Sequence, residues 1–297
     1  MKKNDFLIQY FEKRKSKIIK FFILFLLGFL IVLTISNNFT PKNYIAKVHI
    51  EGIINNKDEL IKKLNDINQN KNIKGLLIIV NSPGGTFVSS KEILDVLEKI
   101  SGKIPTSAYM REMATSGAYL ASLGAKKIFA NQGTITGSIG VILQTAQVTS
   151  FMEKIGVKPI IIKSGELKAT PNPLEKLDDE KLQYLKKIIG QLQNEFVDIV
   201  EKKRNLNQTT IFKISSGRIF TSKQALDLNL IDSIGNETDA LDWIIEEGNL
   251  DKNIDIIELD EKNSLFNLMN TKLFKNSLKP FNLNLNNGIL AIWTPGL

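Results

Sequence analysis

The chain has no cysteine, which excludes disulfides, thiol catalysis and thiolate metal sites at once. Histidine occurs once, as His49. No multi-histidine metal centre can be built from it, and a Ser–His–Asp triad would have to use that one ring. His49 lies in Tyr44–Glu51, where Ile45, Lys47 and His49 alternate with Ala46, Val48 and Ile50. A period of two reads as a strand, and a lone strand histidine is most often structural. Whatever base serves this protein is therefore expected not to be imidazole. Nucleotide loops are missing too: neither a Gly-x4-Gly-Lys-Ser/Thr run nor a Gly-x-Gly-x-x-Gly after a strand is present. No cofactor and no metal are expected.

The net charge of +8 is unevenly spread. Residues 1–20 hold seven Lys/Arg against Asp5 and Glu12, a local +5, which leaves +3 for everything after them. A nucleic-acid surface needs a concentrated basic face on the folded domain, so nucleic acid is not an expected partner. The basic head runs into Phe21–Ile35, fifteen residues without a charge, lengthened by Ile18, Ile19 and a Lys20 able to snorkel. That is nearly the ~20 residues that span a bilayer. Positive flanks stay inside, so residues 1–17 are expected in the cytoplasm, 18–36 in the cell membrane as a single pass, and the remainder on the extracytoplasmic side. A cleaved signal peptide is the rival, but Thr34–Asn38 shows no small-x-small cleavage site.

After the polar linker 37–43, strand and helix patterns alternate. Ile45–Ile50 precedes an amphipathic helix over about 57–68. Gly75–Val80 is a continuous apolar run, the pattern of a strand buried on both faces. Asn81-Ser82-Pro83-Gly84-Gly85 makes a turn, and a helix follows over 89–100. Short strands are expected at 105–109, 127–130, 141–144, 158–162 and 254–259. Helices are expected at 151–156, 178–204, 222–228 and 239–247. This alternation predicts an α/β layered βαβ core with right-handed crossovers. Residues 44–260 would form the domain. Residues 261–297, rich in asparagine, form a C-terminal tail of unassigned role.

Chemistry gathers around Met113–Ser122, where Ser116 stands between small residues at the start of a helix. Two roles fit it at this point. As an N-cap it would satisfy backbone N–H groups. As a nucleophile it would use the same positive helix end to stabilise an oxyanion. The paired glycines at 84 and 85 have two readings as well, a tight loop or a place where a peptide backbone can approach closely. Gly133–Val141 packs glycines and hydroxyls into a constrained loop, with Ser138 a candidate supporting hydroxyl. The loop 163–173 carries Lys163 and Lys168.

Taken together, Gly75–Gly85 (GLLIIVNSPGG), Ala114–Tyr119 (ATSGAY), Thr136–Val141 (TGSIGV), Lys163–Lys168 (KSGELK) and Ser216–Thr221 (SGRIFT) resemble the signal peptide peptidase SppA (protease IV) family in its short single-repeat form. The resemblance covers roughly residues 44–250. It implies a crotonase/Clp-type fold and a Ser–Lys dyad, with Ser116 as nucleophile, Lys168 as general base and Ser138 orienting the lysine. Gly85 and Gly117 would be backbone oxyanion donors. It further implies ring-like homo-oligomers in which the lysine reaches a neighbour's serine, and peptide substrates, specifically cleaved signal peptides. Lysine has an unperturbed pKa near ~10.4, so a lysine base has to be desolvated to be neutral. Lys163 is the nearest competitor to Lys168. The family pattern commonly has a second glycine where Ala118 stands. The rival functions are a related Clp-class membrane peptidase with another substrate, a crotonase-fold acyl-CoA enzyme that would bind CoA, and a non-catalytic scaffold that no serine-reactive probe would label.

Overall fold

The computed structural model describes residues 20–29, 43–259 and 290–292. The chain divides into two units, Met1–Asn43 and Tyr44–Leu297. In the first, helix α1 (20–29) exposes its apolar side chains, Phe21 through Phe29. Among the described residues no helix is long and apolar enough to cross a membrane. The rest of the expected 18–36 span lies outside them.

The second unit runs β1 (Tyr44–Glu51), α2 (Asp58–Gln69), β2 (Ile73–Ser82), β3 (Gly84–Thr86), α3 (Phe87–Ser101), β4 (Thr106–Thr115), α4 (Gly117–Ser122), β5 (Lys127–Ala130) and β6 (Ile135–Gly137). It continues with α5 (Thr149–Lys154), α6 (Asp179–Arg204), α7 (Gln208–Ile214), β7 (Ile219–Thr221), α8 (Ser222–Asp227), β8 (Ser233–Ile234), α9 (Glu237–Glu247), β9 (Asp255–Glu258) and β10 (Leu290–Ile292). The main sheet has the order β7-β6-β4-β2-β1-β9, with β5 also on β4 and β8 on β5. Every pairing in it is parallel except β6 with β7. The long β4 borders β5 along Ser107–Met110 and β6 along Met113–Thr115.

Strand alternation sorts the core into two layers. Ala46, Val48, Ile50, Leu76, Ile78, Val80, Ala108 and Met110 join the larger cluster with Leu64, Leu97, Leu120 and Phe196. Ile45, Leu77, Ile79, Tyr109 and Phe129 turn to the other face and meet Ala240 and Ile244 of α9. Helices on both faces explain why β2 reads as unbroken apolar sequence. The helices start where their sequences offer a side-chain cap. Thr86 accepts from Ser89 N for α3, and Asp178 accepts from Lys181 N for α6. Phe196 of α6 meets Phe87 of α3 edge-on, with centroids 6.1 Å apart.

Two expected strands do not form. Residues 141–144 form no strand beyond an isolated bridge at Ile142, because Gly137 (φ 87°) and Ser138 (φ 50°) turn the chain after β6. The apolar run at 160–162 pairs with no strand among the described residues, and Ile160 and Ile162 stand 88% and 94% exposed. Helix α7 carried no expectation. The strand expected over 105–109 continues to Thr115. Most of the 261–297 tail lies outside the described residues. Its described part, β10, pairs antiparallel with β3.

Candidate active site

Ser116 follows the last residue of β4, and the Pro83-Gly84-Gly85 turn follows the last residue of the adjacent β2, where Ser82 is in register with Ala114. The two segments therefore meet at the carboxyl ends of neighbouring parallel strands, where open α/β sheets bind ligands. Hydroxyls brace the junction. Ser82 Oγ donates to Gly52 O at 2.6 Å and accepts from Gly84 N at 3.1 Å. Thr115 Oγ1 donates to Pro83 O at 3.1 Å, and Thr136 Oγ1 to Ala114 O at 2.7 Å.

Ser116 occupies the N-cap position of α4, yet its side chain caps nothing. Its backbone sits at φ 53°, ψ −119°, a combination that L-residues avoid and glycine tolerates. Two hydrogen bonds hold it there: Ser116 N donates to Gly137 O at 2.7 Å, and Leu120 N donates to Ser116 O at 3.0 Å. The residue is 1% exposed. Among the described residues its hydroxyl donates only a long contact, 3.4 Å, to Gly140 O, and its oxygen lone pairs accept nothing. Because the cap is unmade, the first N–H groups of α4, beginning with Gly117, have no acceptor within the helix.

The loop after β6 is itself buttressed. A Cβ on Gly137 would lie 2.6 Å from Phe220 Cδ2 and 2.9 Å from Arg218 O. Ser138 N donates to Arg218 O at 2.7 Å. The Ser216–Thr221 segment thus supports the turn that holds Ser116, while Tyr119 OH donates to Leu230 O at 2.9 Å and burial pushes that phenol well up from its ordinary value. Ser138 is half-buried and lines a cavity of about 660 Å³ together with Gly140, Val141, Leu185, Ile189 and Gln193. No lysine bonds to Ser138 among the described residues.

Gly85 lies in β3, pinned by Ile54: Ile54 N donates to Gly84 O and Thr86 N to Ile54 O, both at 2.8 Å. A Cβ on Gly85 would fall 1.9 Å from Ile54 O, so only glycine fits. Strand alternation then turns the N–H and C=O of Gly85 to the opposite edge.

The two lysines of the 163–173 loop differ. Lys163 Nζ is paired with Glu175 Oε2 at 2.6 Å and donates to Glu166 O at 3.2 Å. As an ion-paired ammonium it has no lone pair to offer. Lys168 is exposed, and its side chain makes no hydrogen bond or ion pair among the described residues. Within one chain the structure brings together Ser116, Gly117, Gly85 and the Ser138 loop, but gives Ser116 no contact with Lys168. His49 is remote from this chemistry in kind: it sits between Glu51 and Glu258, at 3.5 and 3.2 Å. Sequence reasoning missed the carbonyls of Gly137 and Gly140 and the backbone of Ile54. The glycine density at 133–140 was the one available signal for the first two.

The family pattern of Peptidase family S49 matches residues 98–251, and that of Clp protease matches residues 46–149. Over 223 residues the chain is 37% identical to a Synechocystis sp. protein named as a protease, covering 74% of this chain and 79% of that one. It is 36% identical over 196 residues to an Enterococcus faecium protein named as a signal peptide peptidase SppA, covering 66% and 57%. Among solved structures, a mutant of the membrane-bound stomatin-specific protease 1510-N aligns at 16% identity with a TM-score of 0.48, covering 74% of this chain and 99% of that one. The class is that of an α/β serine peptidase. The chain belongs to Peptidase family S49.

Proposed function

We propose that the chain is a membrane-anchored serine endopeptidase that degrades cleaved signal peptides with a Ser–Lys dyad. The observation that carries this reading is the strained, buried Ser116 at the end of β4, its hydroxyl uncommitted beside the edge of β3 on which the short strand β10 lies. An extended substrate would add as a strand to that edge. Ser116 Oγ attacks the scissile carbonyl as its proton passes to the neutral amine of Lys168. The N–H groups of Gly85 and Gly117 hold the oxyanion. Collapse breaks the C–N bond, the lysine returns the proton to the leaving amine, and water releases the acyl group by the same steps.

Lys168 comes from a neighbouring copy in this reading, with Ser138 orienting it. The exposure of Lys168 in the single chain supports that arrangement, as do Ile160 and Ile162, whose apolar surface suits burial in a homo-oligomer. The apolar cavity beside Ser138 suits apolar peptide side chains. The basic head and the exposed apolar α1 support a single-pass anchor with a cytoplasmic N-terminus, the peptidase domain 44–260 lying outside. The name of the Enterococcus relative supports the substrate class. The test is hydrolysis of a synthetic signal peptide by the full chain in detergent. Ser116→Ala and Lys168→Ala are expected each to abolish it; retained cleavage in Ser116→Ala would refute the reading.

A further inference from the structure

Helix α6 holds a single glycine, Gly190, near the middle of its 26 residues. Glycine inside a helix disfavours folding relative to alanine by a factor of about 2–5. Other glycines of the domain have a reason within the chain. A Cβ on Gly124 would lie 2.6 Å from Leu94 O, and Gly137 sits at φ 87°. Gly190 has neither reason: its backbone is ordinary helix, and a Cβ there would meet nothing within 4 Å. What the position borders is the cavity of about 660 Å³ beside Ser138. Leu182, Leu185, Ile189, Gly190 and Gln193 recur at helical spacing and turn one face of α6 to that cavity. Gly140 lines it from the loop, and Gly140 O is the atom that the Ser116 hydroxyl contacts. The cavity therefore begins one hydrogen bond from the serine.

We propose that Gly190 is a specificity-determining residue: its missing side chain leaves room for a large apolar side chain of the bound peptide to lie against the bare backbone of α6. This rests on the peptidase reading above. The walls that such a side chain would touch are apolar, with Val141, Leu182, Leu185 and Ile189 among them. An aromatic ring would make contacts along these walls that an alanine methyl cannot reach. The helix is also fixed in place, so it cannot withdraw to restore lost space. Gln193 Nε2 donates to Ile139 O at 3.3 Å and to Ser215 O at 3.1 Å, and Phe196 is buried against Phe87. A methyl group added at 190 would therefore come out of the cavity volume. One such group in an apolar pocket changes discrimination between substrates by about tenfold or more.

The test uses the full chain in detergent and two reporter peptides that differ only in carrying phenylalanine or alanine at the residue supplying the scissile carbonyl. Gly190→Ala is expected to raise the melting temperature by about 1–4 °C, while the ratio of kcat/KM for the phenylalanine peptide to that for the alanine peptide falls about tenfold. Gly190→Leu, which fills more of the cavity, should remove the preference for phenylalanine. A melting temperature that stays level or falls in Gly190→Ala would mean that the fold itself needs the glycine. An unchanged ratio would mean that the side chain lies elsewhere. Either result overturns the proposal. Fluorescence anisotropy of the same two peptides, labelled and titrated with Ser116→Ala with and without Gly190→Ala, needs no cleavage. A tenfold loss of preference for the phenylalanine peptide supports the proposal even if no peptide is cleaved; an unchanged preference overturns it even if peptides are.

Discussion

Replacing Ser116 by glycine should make the protein more stable than replacing it by alanine, although both variants lack the hydroxyl. The reasoning starts from the backbone at φ 53°, ψ −119°. A residue with a Cβ held in such a region stores on the order of 1–3 kcal/mol of strain. Alanine keeps the Cβ and therefore the strain. Glycine removes both, at an entropic cost of about 0.5–1 kcal/mol from the freer unfolded chain. The difference between the variants is then about 1–2 kcal/mol in favour of glycine. For a domain of this size each kcal/mol moves the melting temperature by roughly 2–4 °C, so Ser116→Gly should melt about 2–8 °C above Ser116→Ala. The measurement is thermal unfolding of the two full-length variants by circular dichroism in the same detergent. A Ser116→Gly melting temperature equal to or below that of Ser116→Ala would mean that the strand-to-helix elbow stores no strain. The claim that the fold forces the serine into a strained geometry with uncommitted lone pairs would then fall.

Gly85→Ala should be strongly disruptive, because its Cβ would meet Ile54 O at 1.9 Å and displace the two 2.8 Å bonds that pin β3. Overpacking and two strained hydrogen bonds together predict a loss of about 2–4 kcal/mol, read as a lower denaturation midpoint with loss of peptide hydrolysis; wild-type stability would contradict it. Lys163→Met should weaken the loop it shares with Glu175 yet leave activity measurable, whereas Lys168→Met should remove it, as peptide-hydrolysis rates will show. Burial alone would lower the pKa of Lys47, but Glu237 and Glu258 outweigh it and hold the ammonium above the ordinary lysine value of 10.5. A raised lysine stabilises fully below that value and loses its contribution as pH climbs through the folded value. The stability gap between wild type and Lys47→Met should therefore persist at neutral pH and close only in strong alkali, as denaturant titrations at several pH values would show.

Elements whose pattern reports burial were legible from the sequence. The run at 75–80 announced β2, and the stripe of Leu185, Phe196, Val197 and Val200 announced α6, because both are read against a core that their own side chains define. The strands expected at 141–144 and 158–162 failed because an apolar stretch does not say whether the chain stays beside another strand: the turn at Gly137 and Ser138 diverts the first, and Ile160 and Ile162 of the second lie exposed. The serine itself stood out through its small-residue surroundings. Its left-handed backbone did not, since that comes from a carbonyl 21 residues away, Gly137 O, and from the Phe220 side chain behind Gly137. Loop 163–173 was visible as a carrier of lysines, but only coordinates separate the ion-paired Lys163 from the unpaired Lys168. The β10 pairing was invisible, because three residues far along the chain carry no pattern that names β3.

The central claim is that one chain's Ser116 works with another chain's Lys168, and mixing two dead variants tests it most directly. Ser116→Ala and Lys168→Ala chains, unfolded together, reassembled at equal ratio and assayed for peptide hydrolysis, should recover about a quarter of wild-type activity, since in a head-to-tail ring that fraction of sites pairs an intact serine with an intact lysine. A mixture as inactive as either variant alone, with mixed assemblies verified by mass spectrometry, would contradict the account.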